Sequence, residues 1–179
     1  MEELSLNILD VSKNSVSAGA KLIKIILEED QELFKLWIID DGCGMDEEKV
    51  KNVQNPFFTT RTTRKVGLGI PFLKQSAEQT GGYLKIQSSI LPENHGTEVF
   101  AVFKKNSIDV TPLVDIISTI CILIQGSPLI NFYFCHKFNE KEIILETEKL
   151  KEILGDEISL ANPEILQWIK NYLKEQYKN

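Results

Sequence analysis

Ile38–Met45, with the sequence IIDDGCGM, is the stretch that decides the fold. The chain leaves an apolar strand here, adds two carboxylates at Asp40 and Asp41, and then places glycines at alternate positions, Gly42 and Gly44. A plain turn would explain the glycines, because glycine adopts turn conformations at little steric cost. A backbone that passes close to a flat ligand would explain them equally well. The rest of the sequence distinguishes these two explanations.

The composition indicates a soluble globular protein. The 179 residues are 42% hydrophobic and 26% charged, which suits one ordinary domain or one domain with a small appendage. The net charge of -6 argues against non-specific nucleic-acid binding, which favours a basic surface. The three cysteines are odd in number and have no CxxC spacing, so they suggest neither a disulfide framework nor a zinc site.

No segment is predicted to cross a membrane. The acidic start, MEELSLNILD, lacks the basic region of a signal peptide. The most apolar segment, residues 112–134, contains Asp115 and is interrupted by the sequence QGSP at Gln125–Pro128. Its pieces are too short for a hydrocarbon core about 30 Å thick. Together with the cysteine count, this predicts a protein of the reducing cytoplasm.

The first 105 residues form a pattern of α-β-β-α-loop-α-β-β. Apolar residues at helical spacing predict a first helix, and period-two alternation predicts strands after it. The predicted elements are a helix over 3–19, strands over 21–28 and 32–40, a short helix capped by Asp46, a loop over 55–65, a helix over 67–79, and strands over 83–89 and 97–104. This order predicts an α+β two-layer sandwich, with helices on one face of a mixed, mostly antiparallel sheet.

Residues 106–179 are predicted to form a small C-terminal α+β extension of unknown role, so that the domains divide as 1–105 and 106–179. The sequence predicts an apolar helix or other buried segment over 113–124, a hairpin of strands 129–138 and 142–147, and helices over 148–154 and 163–177. Two arrangements are open: the extension continues the core, or it forms a separate module that docks on it. The last helix is amphipathic, which predicts a homodimer or a partner protein on this extension.

The first helix carries a polar stripe at Asn7, Asp10, Asn14 and Ser17. A solvated helix face would explain it. Alternatively, a carboxylate and an amide four residues apart point to the same place on the helix surface. An amide oxygen can bind Mg²⁺, and a carboxylate can orient or deprotonate a water molecule.

The loop NPFFTTRTTRKVGLGI concentrates positive charge in an acidic protein. It brings Arg61, Arg64 and Lys65 together within five residues, just before Gly67 and Gly69. Glycines at a helix start let backbone N–H groups approach an anion, which the helix dipole also attracts. The loop is neither a Walker A motif nor a dinucleotide fingerprint. A lone Gly-Leu-Gly sequence is weak evidence for a phosphate site, because it is usually just the start of a helix. The pattern favours a phosphate site beneath a lid.

The order of these pieces is more specific than any one of them. Acid-x-x-x-Asn on the first helix is followed by Asp-x-Gly-x-Gly, Pro-Phe-Phe-Thr-Thr, Gly-Leu-Gly and Gly-Thr. Over residues 4–104 this order resembles the ATP-binding domain shared by DNA gyrase, the ninety-kilodalton heat-shock chaperone, histidine kinases and mismatch-repair MutL. The resemblance implies the Bergerat-type ATP-binding fold, with ATP and Mg²⁺ as ligands.

The resemblance also implies which residues bind the nucleotide. The aspartate of the family's DxGxG motif accepts a hydrogen bond from the adenine amino group, which identifies Asp40, and Gly42 and Gly44 then let the backbone pass close to the base. Asn14 matches the asparagine that holds Mg²⁺ against the phosphates, and Asp10 lies where the ATPase branches carry a glutamate general base. The other implied residues are Met45 after the motif, Phe57 and Phe58 at the edge of the lid, Thr59, Thr60, Arg61, Arg64 and Lys65 in the lid, Gly67, Leu68 and Gly69 at the phosphates, and Thr97 near the adenine.

The resemblance implies a kinase-type signalling protein. The short lid is similar to that of nitrogen-regulatory histidine kinases, and because the ATP-binding domain starts at about residue 3, we expect no phospho-accepting hairpin before it. The protein would then be a stand-alone kinase that acts on a separate protein. Asp10 is shorter than glutamate and Lys13 stands where an acid is common, so we expect slow hydrolysis. An ATP-controlled binding switch with little or no hydrolysis is the alternative function.

The two histidines are not predicted to accept a phosphoryl group. His136 lies in an apolar strand, where a hydrogen-bonded core histidine is the better interpretation. His95 lies in the loop before Thr97 and is interpreted as a loop residue near the nucleotide.

Overall fold

The helices and strands follow the predicted order along the chain. The computed structural model describes residues 3–57 and 68–178. Its elements are α1 (Leu4–Ser17), β1 (Leu22–Glu29), β2 (Leu33–Asp40), α2 (Glu47–Val53), α3 (Gly69–Gln79), β3 (Tyr83–Ser89), β4 (Gly96–Lys104), α4 (Ile116–Gly126), β5 (Asn131–Phe138), β6 (Lys141–Glu146), α5 (Thr147–Leu154) and α6 (Pro163–Lys178). The predicted α+β fold class is confirmed.

Helix boundaries are set by capping side chains. Asp46 was predicted to cap α2, and its carboxylate accepts a hydrogen bond from the Lys49 N–H at 2.8 Å. The apolar helix predicted from residue 113 begins only at Ile116, because Asp115 caps it through the Ser118 N–H at 3.0 Å.

Six strands form one mixed sheet in the order β3-β4-β2-β1-β5-β6. Neighbouring strands are antiparallel except β1 and β5, which run parallel with Ile25 opposite Phe134. The two strands of the C-terminal region therefore extend the same sheet, which is the first of the two arrangements left open by the sequence. The connection from β4 to β5 contains α4.

One face of the sheet forms the core with the helices. Alternate residues of the central strands are buried, such as Ile25 on β1, Leu36 on β2 and Ala101 on β4. Leu4, Ile8 and Val11 of α1 belong to the same apolar cluster. Alternation with a period of two places Asp40, two residues after Ile38, on this helix-covered face.

The C-terminal region is also hydrogen-bonded to the start of α1. The Leu4 N–H donates to the Pro112 carbonyl at 3.0 Å. The Asp115 N–H donates to the Ser5 hydroxyl at 3.3 Å, and the Thr119 hydroxyl donates to the Ser5 carbonyl at 3.3 Å. The start of α4 is thus fastened to the first helix of the chain.

His136 lies at the far end of the sheet from Asp40 and is buried. Its Nε2 lies 2.9 Å from Glu29 Oε1, and its Nδ1 lies 2.7 Å from the Tyr177 hydroxyl on α6. Burial lowers the pKa of His136, and the hydrogen bond with Glu29 opposes this only in part. Burial raises the pKa of the Glu29 carboxyl, but hydrogen bonds from Lys105 and His136 reverse this and leave it below its ordinary value. The interpretation of His136 as a hydrogen-bonded core residue is confirmed.

Within residues 3–57 and 68–178, no helix combines the length and the apolar character needed to cross a membrane.

Candidate nucleotide site

The carboxylate of Asp40 is held in place from both sides. Its Oδ2 accepts a hydrogen bond from the Ser15 hydroxyl of α1 at 2.5 Å. Its Oδ1 accepts one from the Gly42 N–H at 2.9 Å. The side chain is half-buried at the end of β2. A carboxylate oxygen has two acceptor positions, so each oxygen keeps one for a ligand.

Asp41 has a different role. Its Oδ1 accepts hydrogen bonds from the Lys21 and Leu22 N–H groups, at 2.7 and 2.9 Å. These two bonds tie the end of β2 to the start of β1. Of the two adjacent carboxylates, Asp41 organises the backbone and Asp40 faces the candidate site.

Three hydrogen bonds fasten the loop after Asp40 to the surrounding elements. The Cys43 N–H donates to the Ala18 carbonyl at the end of α1, at 2.9 Å. The Gly42 carbonyl lies 2.6 Å from His95 Nδ1, and the Met45 N–H donates to the Ser88 hydroxyl at 2.8 Å. The loop is therefore bonded to α1 on one side and to the β3–β4 hairpin on the other.

The alternate glycines are required by turn geometry and by close packing. Gly44 has a φ of 73°, and a Cβ there would overlap the Ser89 carbonyl. A Cβ on Gly42 would lie 2.9 Å from the Ala18 Cβ and from Asp40 Oδ1. The missing side chains thus make room for neighbouring protein, which supports the turn explanation. Approach of the same backbone to a base stays a prediction.

Thr97 lies beside Asp40 on the neighbouring strand. In the sheet register Thr97 is opposite Asp40 on β2 and opposite Ser88 on β3. The Ser88 hydroxyl lies 2.7 Å from the Thr97 hydroxyl and donates to the Gly96 carbonyl at 2.9 Å. These residues, with His95, border a shallow groove of about 280 Å³.

The start of α3 lies against α1 beside Asp10. A Cβ on Gly69 would be 2.8 Å from the Asp10 Cβ, so only glycine allows this approach. Among the described residues, no side chain caps α3 at Leu68, and the Gly69 and Ile70 N–H groups of its first turn point to a place that suits an anion. Asp10 is exposed and Asn14 is half-buried on the same helix.

The polar stripe of α1 is not uniformly solvated. Asp10 and Ser17 are exposed, as a solvated face requires. Asn7 is only 5% exposed, and its side-chain nitrogen has no hydrogen-bond partner among the residues that the structure describes. The solvated-face interpretation is therefore wrong for Asn7.

Several predicted site residues have no described environment. Phe58, Thr59, Thr60, Arg61, Arg64, Lys65 and Gly67 lie outside the described residues. Of the others, Met45 is half-buried beside Ser88, and Phe57 is 92% exposed. The structure thus brings together Asp40, Thr97 and the loop between Gly42 and Met45. Asn14 and Asp10 lie on α1, the helix whose Ser15 contacts Asp40.

Sequence reasoning missed Ser15 and Ser88 as residues of this site, and it did not find the contact of His95. Ser15 falls on the apolar face of α1, so a hydroxyl at a core position was an available signal. The partners of Ser88 and His95 depend on how the β3–β4 hairpin meets the loop after β2, which no local pattern reveals.

Comparison with known proteins identifies the family of residues 1–107. This segment matches the family model described as histidine kinase-, DNA gyrase B-, and HSP90-like ATPase. Sporulation kinase E of Bacillus subtilis (strain 168) is 29% identical over 97 residues, which are 54% of this chain and 13% of that protein. The sensor histidine kinase YvrG of the same strain is 31% identical over 87 residues, 46% of this chain and 14% of that protein. The chain thus spans about a seventh of the length of these relatives.

A solved structure shares the fold over more of the chain. The N-terminal domain of a DNA repair protein aligns with a TM-score of 0.60 and 16% identity, over 87% of this chain and 58% of that one. The aligned part, 87% of this chain, is larger than the part formed by residues 1–107, so the shared fold extends into the C-terminal region.

Proposed function

Because the chain belongs to the histidine kinase-, DNA gyrase B- and HSP90-like ATPase family, we propose that it binds ATP with Mg²⁺ and transfers the γ-phosphoryl group to a separate partner protein. The observation that carries ATP binding is the fixed carboxylate of Asp40 beside Thr97. ATP supplies the phosphoryl group, and Mg²⁺ offsets the charge of its oxygens.

Asp40 is suited to an adenine amino group. Its two oxygens are already held by Ser15 and Gly42, so the carboxylate keeps its orientation without a ligand. A pre-oriented acceptor loses little freedom on binding and favours a donor over another acceptor. The adenine amino group is such a donor, whereas the corresponding guanine position carries a carbonyl.

The phosphates would lie between α1 and the start of α3. The uncapped first turn of α3 offers N–H groups beside Asp10. Asn14, one turn further along α1, would contribute an amide oxygen to Mg²⁺. Phosphate oxygens and water would supply the other ligands of Mg²⁺. Within the described parts of the chain, no three histidine, cysteine, aspartate or glutamate side chains lie close enough together to hold a metal ion.

Asp10 is the residue that would orient a water or an acceptor hydroxyl. It is exposed, and its side chain is one methylene shorter than the glutamate of the ATPase branches. We therefore expect hydrolysis to be slow and the phosphoryl group to remain available for transfer. Cytoplasmic location is part of this proposal and agrees with three free thiols, at Cys43, Cys121 and Cys135.

An ATP-controlled protein-binding switch is the second candidate function. It is favoured by the hydrogen bonds of Ser5 to the start of α4, because a nucleotide that shifts α1 would also move the C-terminal region. That region offers a surface for a partner or a second copy, with Trp168 of α6 51% exposed and stacked on Tyr172.

The test is incubation with Mg²⁺ and ATP labelled at the γ-phosphate, alone and with a cell extract, while free phosphate and protein-bound label are measured. Asp40→Asn keeps the shape and the bond from Gly42 but replaces the oxygen that Ser15 contacts with an N–H₂ group, which cannot accept a hydrogen bond from the adenine amino group, so ATP binding should be lost. Asp41→Asn is the matched control, since an amide oxygen can still accept from Lys21 and Leu22. If a protein becomes labelled with the unsubstituted chain but not with Asp40→Asn, the result supports phosphoryl transfer. If ATP is bound but stays intact and no protein is labelled, the result supports the switch. If the unsubstituted protein does not bind ATP, both functions are refuted.

A further inference from the structure

The peptide unit that joins Gly42 to Cys43 is bonded on both of its sides. Its N–H, from Cys43, donates to the Ala18 carbonyl at the end of α1 at 2.9 Å. Its C=O, from Gly42, lies 2.6 Å from Nδ1 of His95 on the β3–β4 hairpin. One peptide plane thus connects the helix that carries Asn14 with the hairpin that carries Thr97.

The chemistry of this contact fixes the hydrogen on His95. A carbonyl oxygen only accepts, so Nδ1 must be the donor to the Gly42 carbonyl. Bonds at both ends of one peptide unit polarise each other and strengthen together. The next peptide unit toward Asp40 carries the Gly42 N–H, which donates to Asp40 Oδ1. The orientation of the Asp40 carboxylate therefore depends on the loop that His95 holds.

We propose that His95 is a positioning residue for nucleotide binding, which acts through the Gly42 carbonyl and keeps the loop after Asp40 in its binding conformation. This rests on the proposed function, since the ligand is the nucleotide of that site. His95 does not need to touch the nucleotide for this role. The ring is exposed to solvent, so removing it leaves no cavity in the core, and the effect of a substitution should come from the lost hydrogen bond.

The chain allows a matched pair of variants. In His95→Asn, the side-chain Nδ2 is as many bonds from Cα as the histidine Nδ1, so it can donate to the same carbonyl. In His95→Ala, the donor is absent. A net hydrogen bond changes an equilibrium by about three- to tenfold. We expect His95→Ala to raise the Kd for ADP with Mg²⁺ by that factor and His95→Asn to stay within about twofold of the unsubstituted protein.

The experiment is titration calorimetry of the full chain and both variants with ADP and Mg²⁺, with the unfolding midpoint of each free protein measured alongside. A second readout is hydrogen exchange at the Cys43 amide in the absence of nucleotide, which should be faster in His95→Ala by a similar factor. If His95 only stabilised the fold, both variants would have a lower unfolding midpoint, and His95→Asn would not retain the ADP affinity of the unsubstituted protein.

Two results would overturn the inference: equal ADP affinity in His95→Ala and the unsubstituted protein, or an equal loss of affinity in His95→Asn and His95→Ala. If the unsubstituted protein binds no ADP, the proposed function fails, and the contact is then judged by exchange alone. Faster exchange at Cys43 in His95→Ala would still support the role of His95 in holding the loop, and unchanged exchange would refute it.

Discussion

Substituting Gly44 with alanine is expected to destabilise the protein more than an alanine at another glycine with a similar positive φ. Gly44 and Gly19 have φ values of 73° and 74°. An alanine in the left-handed region costs about 1–2 kcal/mol. Among the described residues, nothing lies within 4 Å of the position of a Cβ on Gly19, so Gly19→Ala should cost only this strain.

At Gly44 the added Cβ meets the carbonyl of Ser89, which belongs to the backbone of a paired strand and cannot swing aside. The loop would have to move away from the β3–β4 hairpin. That movement breaks the bond from the Met45 N–H to Ser88 and the bond between Gly42 and His95. At about 1 kcal/mol each, these losses bring the total to about 3–4 kcal/mol.

The assay is urea unfolding of the unsubstituted protein and the two alanine variants, with free energies extrapolated to zero denaturant. Gly19→Ala serves as the control for backbone strain alone. Equal destabilisation by the two substitutions, within about 0.5 kcal/mol, would refute the argument that close packing against Ser89 requires glycine at residue 44.

Three further outcomes follow from the hydrogen bonds of the C-terminal region. Tyr177→Phe leaves the buried Nδ1 of His136 without a partner and should lower the free energy of unfolding by about 1–3 kcal/mol in urea titrations. Thr147→Val removes the acceptor of the buried Phe132 N–H and should cost a similar amount, whereas Thr147→Ser should not. Burial in the folded protein lowers the pKa of His136 from its ordinary value of 6.5. The unfolded chain therefore binds more protons than the folded one as the pH falls through 6.5, and the free energy of unfolding decreases. His136→Gln should flatten this fall in Tm between about pH 7 and 5, and an unchanged slope would contradict it.

Local features of the chain were predictable from sequence because they depend on neighbouring residues. The alternation in β1 and β2, the capping of α2 by Asp46 and the turn between β5 and β6 each involve only a few consecutive positions. Asn139 and Glu140 at that turn have φ values of 48° and 62°, as a two-residue hairpin turn requires. Side-chain capping explains why α4 begins later than its apolar pattern suggested.

The parallel pairing of β1 with β5 was not predictable in the same way. It joins residues more than a hundred positions apart, such as Ile25 and Phe134, and no local pattern selects that partner. The same limit applies to the candidate site. The sequence order indicated Asp40 and Thr97, but the contacts of Ser15, Ser88 and His95 depend on how distant elements meet.

The pairing of β1 with β5 has a consequence for anyone who shortens this chain. A fragment that ends at residue 107, where the family match ends, would lose β5 and leave all eight residues of β1 with one unpaired edge. An open, apolar strand edge is a template for another chain. Such a fragment should associate through that edge and scatter light in solution, while the full chain should not. The smallest soluble unit for ligand or drug screening would then be longer than its recognisable family segment.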